Sequence, residues 1–152
     1  MIRKISSKKF YQGFTLVEVL LSLAVVGIIA ASATPVYQAL QNRNDLDIAI
    51  NTTAQAMRRA QLLSQAVAND TTWGVKILTG KISIFQGASY AGRDQNFDED
   101  FSLPSSINLS GLDEAVFAKL SGFPLTSGAL TLSSPNNESR TLTLNSKGTI
   151  AY

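Results

Sequence analysis

The 152 residues carry 13 Lys and Arg against 11 Asp and Glu, with no Cys and no His. Those absences exclude a disulfide framework, a thiol nucleophile, a zinc site of the usual ligand types and a Ser-His triad. Four of the cations, Arg3, Lys4, Lys8 and Lys9, sit in the first nine residues, and beyond them the balance is 9 against 11, so a generally basic surface for nucleic acid is not indicated.

The first element expected in chain order is a membrane helix. From Phe14 to Pro35 run 22 residues in which Glu18 is the only ionisable side chain, and at about 1.5 Å per residue they span roughly 33 Å, enough for a bilayer core of about 30 Å. A charged group in such a segment costs roughly 2.5 to 3.5 kcal/mol on insertion scales, so Glu18 needs a partner. The cations before it and the absence of acids there hold the N-terminus in the cytoplasm and send the rest outward. Ala30-Ala31-Ser32-Ala33 could also imitate a signal-peptidase site, which leaves a cleaved secretory peptide and a plain signal anchor as alternatives. Gly27 and Pro35 lie inside this run. Proline removes a helical hydrogen bond and clashes with the preceding turn, so a kink is expected near residues 31 to 35.

Residues 36 to 68 hold no Gly or Pro, and Leu40, Arg43, Leu46, Ile50, Ala54, Met57, Gln61 and Val67 recur at steps of three or four. That spacing predicts an amphipathic helix of about eight turns continuing the first, with Asn42, Asp45, Asp47, Gln55, Arg58 and Arg59 outward and Asn69-Asp70 as its stop. Beyond it the period changes to two. Residues 73–78, 81–85, 115–120, 129–133, 140–144 and 149–152 read as short strands separated by Thr79-Gly80, Ser127-Gly128 and Lys147-Gly148. Leu130-Thr131-Leu132 and Thr141-Leu142-Thr143-Leu144 alternate strictly, which places their leucines on one buried face. The strands number enough for one small antiparallel domain whose core needs the helix to complete it.

Asp94, Asn96, Asp98 and Asp100 have the alternate spacing of a calcium loop, but Glu99 stands where the turn wants Gly and Ser105 where a bidentate Glu would close the site. A solvated acidic loop is the expectation here, with metal binding as the alternative. Trp73 and the four tyrosines read as core and rim aromatics rather than stacking platforms. With no nucleophile-base pair and no Gly-x-Ser-x-Gly, a membrane-anchored hydrolase is disfavoured and no cofactor is called for.

The segment Lys8-Lys9-Phe10-Tyr11-Gln12-Gly13-Phe14-Thr15-Leu16-Val17-Glu18 resembles the class III signal of prepilins and pseudopilins. The resemblance implies that prepilin peptidase cuts between Gly13 and Phe14 on the cytoplasmic side and methylates the Phe14 amine. It implies further that Glu18 neutralises that amine on a neighbouring subunit. Removing one partner of a buried ion pair costs about 3 to 5 kcal/mol, so such a pair would set register between subunits. Met57-Arg58-Arg59-Ala60-Gln61, Thr72-Trp73-Gly74-Val75 and Thr143 to Ile150 resemble the H-type minor pseudopilin and FimT-type minor pilin family. That resemblance implies an α+β lollipop: leader 1–13, fibre-core helix 14–36, amphipathic helix 37–70 and an antiparallel β domain over 71–152. It implies a non-enzymatic subunit of a type II secretion pseudopilus or type IV pilus, held single-pass in the cytoplasmic membrane before it joins a periplasmic or surface filament. The partners implied are prepilin peptidase, other pilins in a heteromeric filament and the inner-membrane assembly platform. The alternative is a filament-borne binding module for DNA, surfaces or a secreted substrate. Where DNA-binding relatives carry a basic Gly-Arg motif, this chain has Lys147-Gly148-Thr149.

Overall fold

A computed structural model describes residues 13–152, without the side chains of 32–35; the leader cations therefore lie outside the described residues. The chain divides into two units, Met1–Tyr37 and Gln38–Tyr152. One helix, α1 (Leu16–Gln65), belongs to both, and Gly27 and Pro35 fall within it.

In the first unit the helix is apolar apart from Glu18 and a few hydroxyl side chains, and its described side chains are exposed. It is long and apolar enough to cross a membrane. A helix that is hydrophobic all round must be covered by lipid or by other helices.

In the second unit the helix buries one face. Leu46, Ala49, Ile50, Thr53, Ala54, Met57, Ala60 and Ser64 are all covered, the three-and-four spacing that places side chains over successive turns. Three expected members of that stripe differ, among them Arg43, whose side chain is exposed. Leu40 is exposed, and Val67 lies beyond the helix with left-handed backbone (φ 52°). The helix stops at Gln65 just before Val67 turns left-handed, and Ser64 Oγ accepts the N–H of Trp73 at 2.9 Å across the exit. A single 3₁₀ turn, Ala68–Asp70, follows, with Asn69 in left-handed conformation. Asn42 and Asp45, expected outward, are half-covered.

Eight strands follow: β1 (Trp73–Leu78), β2 (Lys81–Gln86), β3 (Asp94–Ser102), β4 (Asn108–Gly111), β5 (Glu114–Phe117), β6 (Gly128–Ser133), β7 (Ser139–Leu144) and β8 (Ile150–Ala151). They form two antiparallel sheets, ordered β3-β2-β1-β5 and β4-β6-β7-β8. The helix stripe, Val75, Ile82, Ile84 and Phe117 of the first sheet, and Leu130, Leu132, Leu142 and Leu144 of the second share one buried cluster. The alternation in β6 and β7 is the one the leucines predict, with Thr141 and Thr143 turned to water. Gly74 stands opposite Phe85 in the β1–β2 ladder. A Cβ there would meet the Phe85 ring at 2.5 Å, so this glycine makes room for the aromatic.

Two strands correct the sequence reading. The acidic stretch expected as a solvated loop is β3, and β4 had no predicted counterpart. Acidic residues disfavour strands, yet Ser83, opposite Asp100, donates its hydroxyl to that carboxylate, and Lys81 donates to it at 2.8 Å. Cross-strand partners thus outweigh the local preference. The predicted 115–120 strand ends at Phe117, where the chain turns into a loop with Leu120 at φ 67°.

Candidate processing and assembly site

Thr15 stands immediately before α1, and its hydroxyl accepts the Glu18 N–H at 3.2 Å while its carbonyl accepts the Val19 N–H at 3.2 Å. This is an N-cap, and Thr15-x-x-Glu18 has the residue types of a capping box. Helix starts leave N–H groups unsatisfied and carry partial positive charge, so a carboxylate at the third position is favoured there. The sequence reading missed the Thr15 cap, although the Thr-x-x-Glu spacing signals it. Ser22 donates its hydroxyl back to the Glu18 carbonyl at 2.7 Å. The Glu18 carboxylate itself is exposed and makes no ion pair among the described residues. Gly13 is exposed, and a Cβ added to it would meet nothing within 4 Å. Phe14 is 82% exposed. Gly13, Phe14 and Glu18 thus lie within five residues of each other in sequence, at the exposed start of α1 and just before it.

The acidic cluster is organised differently from a metal loop. Arg93 holds Asp98 through its Nε at 2.8 Å and stacks its guanidinium 3.7 Å over the Tyr90 ring. Arg59 of α1 grips Glu99 with two bonds of 2.6 and 2.7 Å. Asp94 accepts from the backbone and side chain of Asn96. Hydrogen bonding from Arg59 holds Glu99 below the ordinary carboxylate range against the opposing effect of burial, and bonds from Lys81 and Ser83 do the same for Asp100. Among the described residues no three His, Asp or Glu side chains are grouped to share a metal ion. A strand rises about 3.3 Å per residue, so Asp94, Asn96, Asp98 and Asp100 are spread along β3 instead of converging.

The aromatics and the basic turn have structural roles. Trp73 is buried and donates its indole N–H to the Ala68 carbonyl at 3.0 Å, closing the helix exit. Tyr90 meets Phe85 edge-on, while Tyr152 bonds Asn51 through its hydroxyl and lies under Arg58. Tyr37 is exposed on the first unit, and Tyr11 lies outside the described residues. At Lys147-Gly148 the Asn145 side chain accepts the N–H of Lys147 and of Thr149, both at 2.9 Å. Gly148 has φ 82° and its carbonyl accepts from Gln61, so the glycine serves a tight turn packed on the helix.

Residues 8–34 match the Prokaryotic N-terminal methylation motif. The fold is similar to that of the minor pseudopilin EpsH from the Type 2 Secretion System of Vibrio cholerae, with a TM-score of 0.53 and 16% identity over 70% of this chain and 94% of that one. A methylation motif therefore heads a long helix in a chain whose fold is similar to that of a minor pseudopilin.

Proposed function

We propose that the chain is a minor pilin or pseudopilin, a structural subunit of a type II secretion pseudopilus or a type IV pilus and not an enzyme. In this reading prepilin peptidase cuts between Gly13 and Phe14 and methylates the Phe14 amine. The apolar half of α1 then keeps the subunit in the cytoplasmic membrane, N-terminus inside, until the assembly platform passes it to a heteromeric filament. Gly27 and Pro35 are the positions at which that helix would bend. The observation that carries the reading is the start of α1 itself: the methylation motif covers it, and Glu18 is an exposed carboxylate in an apolar helix with no partner among the described residues. A neighbouring subunit's Phe14 ammonium has the complementary charge.

Gly13 supports the same reading. No neighbour crowds a Cβ at this position, so the fold gives no reason for glycine there, whereas a protease subsite that admits only a bare backbone does. The test is the intact mass of the protein from cells that express the peptidase. Loss of residues 1 to 13 with gain of one methyl group is expected, and Gly13→Val should leave the precursor uncut. An N-terminus at Ser32 or Ala33 would overturn the reading in favour of a cleaved signal peptide.

A further inference from the structure

The two sheets leave a slot between β4 and the end of β1. Leu112 continues the β4–β6 register and donates its N–H to the Ala129 carbonyl at 2.9 Å. Hydrogen-bonded pairs alternate along an antiparallel ladder, so Ser110 and Asn108 also bond β6, while the N–H and C=O groups of Leu109 and Gly111 point away from it. β4 is the edge of its sheet, and among the described residues nothing meets those outward groups. On the other side, Ile77 donates its N–H to the Asp113 carbonyl at 2.8 Å. The slot holds a cavity of about 340 Å³ with Ile77, Leu109 and Leu130 on its walls.

The other sheet edges are protected, β8 by being only two residues long. The outer side of β5 is bonded by the segment at Leu125, which donates its N–H to the Val116 carbonyl at 2.8 Å, and β3 carries carboxylates along its length. β4 has no charge, no proline and no cover, which is the profile of an edge that accepts a strand.

Charge specifies what would lie there. Lys76 is held by Asp113 at 2.8 Å and Glu114 at 3.3 Å, which leaves one negative charge in surplus. The Asp113 side chain is 72% exposed. Asp113 also borders a second cavity of about 400 Å³, walled by Leu112, Val116 and Leu125. An extended chain places every second side chain on one face. A cation on Asp113 therefore falls between two positions that can carry apolar side chains into the two cavities.

We propose that the open edge of β4 accepts an extended segment of a neighbouring filament subunit with the pattern apolar-x-basic-x-apolar, its cation on Asp113. This rests on the reading of the chain as a filament subunit. The experiment is hydrogen exchange read at single residues, comparing the full chain in detergent with the chain in recovered filaments. Leu109 and Gly111 should exchange freely in detergent and at least about tenfold more slowly in filaments. Asp113→Asn, a change at an exposed side chain whose pair with Lys76 is worth at most about 1 kcal/mol, should lose most of that protection while lowering the melt only slightly. Leu109→Pro removes an outward N–H without breaking the ladder to β6 and should lose it too. Equally fast exchange in filaments and in detergent would overturn the proposal, as would protection that Asp113→Asn leaves intact. Wild type that never appears in filaments would overturn the filament-subunit reading first and this proposal with it.

Discussion

Glu18 is a carboxylate on α1 and Glu99 one on β3 that faces the same helix, and their surroundings give them opposite duties. Glu18 lies at the capped start of an apolar helix and touches no cation among the described residues, so its charge is costly until something pairs with it. Glu18→Ala should therefore leave the melting temperature unchanged and make the lone helix easier to keep in a bilayer. Filament incorporation should fall, because a neighbour's Phe14 amine would be buried unpaired. Shear-fraction recovery from cells that make the major subunit measures this, and incorporation equal to wild type would show that the carboxylate does not direct assembly. Glu99 already has its cation. Its folded pKa is lowered by Arg59, so the protonated form is favoured in the unfolded chain. The stabilisation is present above the unfolded value of about 4 and is lost as pH falls through that value to the lower folded one. Asp100 and Asp113, lowered by Lys81 and Lys76, add in the same direction. Melts of the full chain in detergent should show stability dropping below about pH 4, and Glu99→Gln should flatten that slope.

At the scale of elements, β3 and the C-terminal half of α1 carry the main tests. Because β3 is extended and its carboxylates are engaged by Arg93, Arg59 and Lys81, calcium and a chelator should give nearly the same melting temperature. A clear rise with calcium would mean that ligands from elsewhere complete a site. On α1, Gln61 donates to the carbonyls of Gly122 and Gly148, at 3.1 and 3.2 Å, and so joins the helix to a loop and to the β7–β8 turn. Gln61→Leu keeps the bulk and removes the donor. Leaving buried carbonyls unsatisfied costs about 1 to 3 kcal/mol, so the variant should melt earlier, with faster hydrogen exchange at 118–124 and 145–149. The charged contacts of the β6–β7 hairpin, Arg43 with Glu138 at 2.8 Å and Arg140 with Asp47 at 3.6 Å, are exposed pairs that orient more than they stabilise.

For the whole molecule, the second unit has one core to which helix and both sheets contribute, so it should lose structure as a unit. Met57 is fully buried on α1 within that cluster. Met57→Ala removes most of a side chain at the meeting of three elements and should cost about 2 to 5 kcal/mol. That is a large share of the roughly 5 to 15 kcal/mol typical of a folded domain. Denaturant melts that follow Trp73 fluorescence would read it, since this single tryptophan is buried in the same cluster. The first unit should respond differently. Its apolar side chains are exposed, so substitutions such as Leu21→Ala should alter membrane retention and leave that melt unmoved.

The amino-acid sequence by itself determined the helix start, the apolar run and the place of Glu18, because each depends only on residues within a few turns. It also determined β6 and β7, where alternation of apolar and polar residues is a local signal of one buried face, and β1 and β2, which are runs of β-formers bounded by turn residues. Tertiary structure alone decided that 94–102 is a strand, since the partners that make its carboxylates tolerable include Lys81 and Ser83 on β2 and Arg59 on the helix, up to 40 residues away. It decided β4, a four-residue edge with no alternation strong enough to read. It decided the exit from α1, where the Trp73 N–H bonds Ser64 across the turn. The open slot beside Asp113 exists only because the end of β1 and the edge strand β4, separate segments of the chain, face the same cavity. Local patterning reports which face of an element is buried, and it carries no record of which distant charge or edge that element will meet.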